Sequence, residues 1–240
     1  MELRAENISR RYFRKRGEAN FFEAVKPVSL TLRGGKMTVL KGRSGSGKTT
    51  LLHMLAGLLN PSEGKVFLDD TDLYALEDAE LSRVRNEKIG VVPQGRSAVD
   101  TLTVYENILL PGLLYGGTPR TDAAESWMEA LDISSLRDVM PAELSGGELR
   151  RMAIARTLTA DPDVILADEP TGDLDNENTV IVLDALRQAA KAGKAVLVVS
   201  HEDDVEAYAD EVIRMDAGSF IADGSKTQQP SSVNELFVCL

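Results

Sequence analysis

The sequence predicts an α/β fold: a mostly parallel sheet, an N-terminal antiparallel β subdomain and an inserted helical subdomain. Three observations lead there. Short continuous apolar runs recur, "MTVLK" (37–41), "IGVV" (89–92), "VILA" (164–167) and "AVLVVS" (195–200). Runs of that length fit strands buried on both faces of a helix-covered sheet. Helical patterns lie between them, and strand alternating with helix is the α/β signature. Two regions break the alternation. Residues 2–29 and 64–72 read as antiparallel strands with polar turns, and residues from about 95 to 161 hold helical pieces without a convincing strand.

At the N-terminus the basic stretch "RRYFRKR" (10–16) reads as a solvated loop or an edge strand. Within the helical insertion, "TDAAESWMEALD" offers Asp122 and Glu125 as a capping box, and Trp127 reads as a packing residue. In "NENTVIVLDALRQAAKAG", Val180, Leu183, Leu186 and Ala190 recur at helical spacing, with Gly193 as the C-cap. The tail at 225–240 is polar and then apolar, and is read as either frayed or docked on the body.

Composition narrows the function. The apolar share of 43% and charged share of 27% are ordinary for a soluble domain. A net charge of −11 argues against a duplex nucleic acid as partner. The single cysteine, Cys239, excludes a disulfide or a cysteine-based metal site within the chain, which suits a reducing compartment. The opening "MELRAENISRRYF" lacks the apolar core of a signal peptide. No apolar run approaches the ~18 residues that span a bilayer. Membrane contact is therefore expected only through a partner.

"GRSGSGKTT" follows a predicted strand and precedes the helical "LLHMLAGLL". That is the context the G-x-x-x-x-G-K-[ST] pattern requires, and it makes the core a P-loop NTPase core. Gly42, Gly47, Lys48 and Thr49 fill the fixed positions. Arg43, Ser44, Gly45, Ser46 and Thr50 complete the phosphate-binding set. Backbone amides and a helix N-terminus receive phosphate oxygens, Lys48 reaches the β- and γ-phosphates, and the Thr49 hydroxyl ligates Mg²⁺. The competing reading, a glycine-rich strand–helix turn, leaves Lys48 and Thr49 in register by accident.

"VILA" ends in "DEP" (168–170). A carboxylate at the end of a buried strand needs a cation to offset its desolvation. Mg²⁺ fills that need at Asp168. If the backbone turns there, Glu169 faces a water in line with the γ-phosphate and serves as general base. His201 after "AVLVVS" and Gln94 after "IGVV" occupy equivalent strand ends, where parallel sheets bind ligands. Gln94 is read as an Mg²⁺ ligand or a holder of the attacking water. Taken singly, His201 and Gln94 are equally well polar turn residues.

"LSGGELRRMAIAR" (144–156) opens a helix with two glycines. Ser145 and Glu148 form a capping box, which leaves Gly146 and Gly147 unexplained, since glycine weakens a helix. Bare amides beside a serine hydroxyl make an anion site. One loop already holds this chain's nucleotide, so a second site takes another phosphate, from this chain or from another.

Taken together, "GRSGSGKTT", Gln94, "LSGGE", "VILADEPT", "GDLD" and His201 stand in the order and spacing of ABC-type ATPases, and the chain resembles that family along nearly its whole length. "PAELSGGE", "ADEPTGDLD" and "LTVYENILLP" resemble its lipoprotein-release and macrolide-export branch. The resemblance implies one nucleotide-binding domain over residues 1–240. It implies that Ser145, Gly146 and Gly147 close on ATP held by a second subunit's phosphate loop, that Asp175 lies at the dimer seam, and that Gln94 couples the site to the helical insertion. His201 becomes the switch histidine, and Tyr12 the aromatic that stacks on adenine, with Phe13 as fallback. Expected cofactors are ATP and Mg²⁺. Expected partners are a second ABC subunit, read as a homodimer, and a transmembrane permease, with the chain peripheral on the cytoplasmic face of the membrane. Expected work is export or extraction of a peptide, lipoprotein or hydrophobic compound. Soluble DNA or ribosome maintenance, and a cell-division or signalling complex, are the alternatives. Two positions depart from the branch: "GRSAVD" follows Gln94 where bulky apolar residues are usual, and Arg150 stands where glutamine is common.

Overall fold

A computed structural model describes residues 1–13, 21–114, 117–172 and 174–221. A six-stranded sheet forms the centre, in the order β10(Ser219–Ile221), β9(Glu211–Asp216), β3(Met37–Lys41), β8(Ala195–Ser200), β7(Val164–Asp168), β6(Ile89–Val92). All neighbours are parallel except β9 and β10. The strands alternate between two cores, as a period of two requires. On β8, Ala195, Leu197 and Val199 join one core, and Val196 and Val198 the other. The pairs Lys41↔Ser200, Asp168↔Val199 and Ala167↔Val92 bring four strand ends to one edge. Gly42, Gln94, Glu169 and His201 all follow at that edge.

The second sheet is antiparallel, in the order β2(Phe21–Arg33), β1(Glu2–Phe13), β4(Glu63–Leu68), β5(Thr71–Asp72). Its Leu3, Ile8, Val25 and Leu30 share the first core with Leu51, Leu52 and Leu55 of helix α1(Lys48–Leu55). Past Ser9 the ladder to β4 ends and β1 pairs with β2 alone, so Arg10–Phe13 run as an edge. Residues 14–16 of the basic stretch, and the tail with Cys239, lie outside the described residues. The Lys26 N–H donates to Gly218 O at 2.8 Å and the Gly218 N–H to Ser46 O at 3.0 Å. The small sheet, the β9–β10 turn and the phosphate loop are thus joined.

Helix α2(Asp78–Lys88) and the β9–β10 hairpin are not among the sequence expectations. α2 buries only Leu81 among its residues, and β9 carries Glu211, Arg214 and Asp216, so neither shows an apolar period. Between β6 and β7 the described residues hold α3(Val104–Leu113), α4(Thr121–Ala130), α5(Gly146–Thr159) and short 3-10 turns, with no strand. Met128, Met152, Ile154 and Leu158 seat them on the second core, where Trp127 also packs.

Two local expectations are corrected. Asp122 and Glu125 form no capping box. The Ala124 N–H already donates to Arg120 O at 2.9 Å, so α4 starts ahead of Asp122. Asp122 sits in the first turn, where its charge favours the helix dipole, and Glu125 pairs instead with Arg137 at 3.1 Å. In α6(Asn176–Lys191) the buried stripe runs through Thr179, Val182, Leu183 and Leu186, which turns Val180 out to solvent, 47% exposed. Gly193 follows the actual C-cap, Ala192, in the left-handed region with φ +100°.

Candidate active site

The phosphate loop is built tight against its surroundings. A Cβ at Gly42 would stand 2.3 Å from Met215 O, and one at Gly47, where φ is +104°, 2.3 Å from Ala24 O. Only glycine fits both places. An open cleft of about 1460 Å³ lies above, ample for a nucleoside triphosphate. Gly42, Arg43, Ser44, Gly45, Gly47, Lys48, Thr49 and Thr50 line it, together with Tyr12, Gln94, Glu169 and His201. Ser46 is buried beneath the loop, its hydroxyl without a partner among the described residues. The Lys48 ammonium donates to Gly42 O at 2.7 Å and Arg43 O at 3.2 Å, and stands 3.7 Å from Glu169 Oε1.

Asp168 closes β7, 2% exposed. Burial pushes its carboxyl above the usual carboxylate range. Its hydrogen bond with Thr49 acts the other way, and the neighbouring Glu169 charge adds to the rise. Its Oδ1 is buried without a hydrogen-bond partner among the described residues. A hydroxyl and a buried carboxylate with a free oxygen are hard donors of the kind Mg²⁺ takes alongside phosphate oxygens, so Thr49 and Asp168 fit that ion. Glu169 holds φ +49°, a strained left-handed conformation for a non-glycine residue. This is the turn that brings two successive carboxylates to the same edge. Its N–H still bonds Val199 O at 2.9 Å, which anchors the turn to β8. His201 Nδ1 lies 2.9 Å from Glu169 Oε2, across the cleft floor from Lys48.

Ser145 and Glu148 form the expected capping box on α5. Glu148 Oε2 accepts from the Ser145 N–H and Oγ, both at 2.7 Å, and these bonds hold its carboxyl below the usual range. Ser145, Gly146 and Gly147 do not line the phosphate cleft. Among the described residues, a Cβ at Gly146 would meet nothing within 4 Å. Packing among those residues therefore gives no reason for glycine there. Asp175 caps α6, accepting from the Asn178 N–H at 2.8 Å. Gln94 lines both the cleft and a smaller crevice that Gly146 and Arg150 border. Arg150 donates to Pro93 O at 2.6 Å and Gln94 O at 2.9 Å, and Arg156 to Ser97 O and Oγ, both at 2.7 Å. Two arginines of α5 thus grip the segment after β6, including the divergent "GRS".

At the cleft's other end, Tyr12 stacks on Phe22 with centroids 5.5 Å apart. Both rings line the cleft, whereas Phe13, on the opposite side of β1, is 86% exposed and does not. Sequence reasoning missed Phe22, Lys41 and Arg214, which also line the cleft. The aromatic pair "FF" beside the basic stretch was the one signal for Phe22; nothing marked Lys41 or Arg214.

Residues 25–172 match the family model described as "ABC transporter". The lipoprotein-releasing system ATP-binding protein LolD of Aquifex aeolicus is 38% identical over 92% of this chain and 96% of its own length. The macrolide export ATP-binding/permease protein MacB of Campylobacter fetus is 35% identical over 86% of this chain and 33% of its own length. The dimeric post-hydrolysis structure of the ATP-binding cassette MJ0796, bound to ADP and Pi, superimposes with TM-score 0.83 at 33% identity, over 90% of this chain and 95% of that one. With a family model matched over residues 25–172, and LolD matched over almost its full length, the chain belongs to the ABC transporter family.

Proposed function

We propose that this ATPase subunit is half of a composite enzyme whose pockets close only between two copies. The observation that carries the reading is the placement of Ser145–Gly147: outside their own chain's cleft, with open space before Gly146. A helix N-terminus of bare amides is an anion receptor, and the terminal phosphate of ATP on a second copy is the anion that fits it. Asp175, at the start of α6, lies on the same seam.

Lys48 and the loop amides hold the β- and γ-phosphates, and Tyr12 with Phe22 forms the platform for the base. Thr49 and Asp168, with Gln94, would hold Mg²⁺, which when bound would supply charge neutralisation at the phosphate oxygens. Glu169 takes the proton from the attacking water at a carboxylate oxygen. The His201 ring, bonded to Oε2, holds that carboxylate in place. The α5 N-terminus steadies the departing phosphate until the halves separate. Strain at Glu169 is pre-organisation, fixed by the Glu169–Val199 bond.

The family and the relatives support a transmembrane partner. No helix among the described residues is long and apolar enough to cross a membrane. The chain works at the cytoplasmic face, held by a permease that docks near Gln94 and the helical insertion. Similarity to LolD and MacB is the support for export or extraction as the work done. The polar "GRS" at that surface calls for a polar permease segment.

Glu169→Gln tests the reading. The variant should bind ATP as the wild type does, hydrolyse it about 10²–10⁴-fold more slowly, and elute as a dimer in ATP by size-exclusion chromatography with light scattering. A slow variant that stays monomeric in saturating ATP would overturn the composite pocket.

A further inference from the structure

Four carboxylates follow His201 within five residues, and Glu202, Asp203 and Glu206 are each held from another element. Glu202 Oε2 accepts from Thr171 Oγ1 at 2.6 Å. Asp203 pairs with the Lys41 ammonium, which also donates to Glu206 Oε1 at 2.8 Å. Arg214 of β9 donates to both Glu206 oxygens at 3.1 Å. Lys41 is the last residue of β3, directly before Gly42. Its side chain is 16% exposed, and Glu206 is 29% exposed, against 98% for Asp203. The Glu206 contact is therefore the stronger of the two, since solvent screens Asp203. The residues after His201 are tied at once to the strand that carries the phosphate loop and, through Thr171, to the turn that carries Glu169.

We propose that Lys41 is a positioning residue for hydrolysis: by fixing the His201 segment to the phosphate-loop end of β3, it keeps the His201 ring on Glu169. This rests on the roles given above to Glu169 and His201. Lys41 does not touch the reacting atoms. It works by confining a histidine whose side chain is 61% exposed. Without the Lys41 ammonium, Glu206 keeps Arg214 and β8 keeps its ladder to β3, but the residues after His201 lose their side-chain tie beside Gly42. A general base misplaced by a fraction of an ångström turns over slowly while ATP still binds.

The test is a double-mutant cycle on full-length protein with ATP and Mg²⁺. Lys41→Met, close in shape and uncharged, should lower kcat roughly 10- to 100-fold, with KM and ATP affinity within about threefold of wild type. In a His201→Ala background the same exchange should change kcat less than about twofold, and Lys41→Arg should recover most of the activity. Nitrogen-detected NMR of the His201 ring should show its resonances moved in Lys41→Met. Wild-type kcat in Lys41→Met beside a slow His201→Ala would overturn the tether alone. So would an equal loss in both backgrounds. Wild-type turnover in His201→Ala would instead strike down the role of the histidine, and the tether with it. If Lys41→Met fails to fold, Asp203→Asn with Glu206→Gln breaks the same link from the exposed side, with the same readouts.

Discussion

Asp168 is held in a place that suits a cation better than it suits a bare carboxylate. Its carboxyl is favoured in the protonated form by burial, so its contribution to folding is fully present below the ordinary carboxylate value near 4 and is lost as pH rises through the raised value. At neutral pH, without cation, the buried carboxyl therefore weakens the fold relative to acid pH. Asp168→Asn should therefore raise the melting midpoint in chelator at pH 7, by about 2–4 °C for each kcal/mol recovered, while abolishing Mg²⁺-dependent hydrolysis. Calorimetry at pH 7 and pH 4 checks the sign: the advantage should shrink at the lower pH. A less stable variant at pH 7 would contradict it. Residues such as Asp168, Glu169 and the loop from Gly42 to Thr50 were legible in sequence because their chemistry depends on near neighbours in the chain. Phe22, Lys41 and Arg214 were not, because their partners, Tyr12, Glu206 and the cleft itself, come from distant strands that only the folded register brings together.

At the scale of elements, α5 and the β3 entrance make opposite demands. Gly146 sits in the first turn of α5 facing open space, so alanine there should stabilise the isolated chain by about 0.5 kcal/mol. The same exchange should weaken ATP-driven association by placing a methyl where a second nucleotide must come. Urea unfolding and analytical ultracentrifugation of Gly146→Ala read the two effects separately, and unimpaired association would return α5 to a merely capped helix. At β3, Asp210 accepts from the Met37 N–H at 2.8 Å and pairs with Arg187, which together hold its carboxyl far below the usual range. Its stabilising contribution is present above the ordinary carboxylate value and is lost as pH falls from about 4 through the lowered one. Asp210→Asn should cost about 1–2 kcal/mol at pH 7, and the gap to wild type should narrow in urea melts below pH 4. The buried strands β3, β6, β7 and β8 announced themselves as unbroken apolar runs. β9 did not, because it sits near the sheet's edge and carries charge, and the start of α4 was misplaced because backbone geometry at Arg120 outweighed a plausible side-chain cap.

For the whole molecule, the proposed pocket shared between two copies would make activity depend on encounter. Specific activity should rise with protein concentration until dimers saturate, and an excess of Lys48→Ala chains, which lack the phosphate contact but keep Ser145–Gly147, should change the rate per wild-type chain. A dilution series with flat specific activity down to nanomolar protein would rule out the shared pocket. The folded body also sets an order of events during synthesis. The phosphate loop leans on Met215 and on the Gly218 N–H, both from the β9–β10 hairpin. In a chain emerging from the ribosome, "GRSGSGKTT" precedes that hairpin by most of the α/β core, so the loop lacks part of its support until β9 and β10 have followed it out.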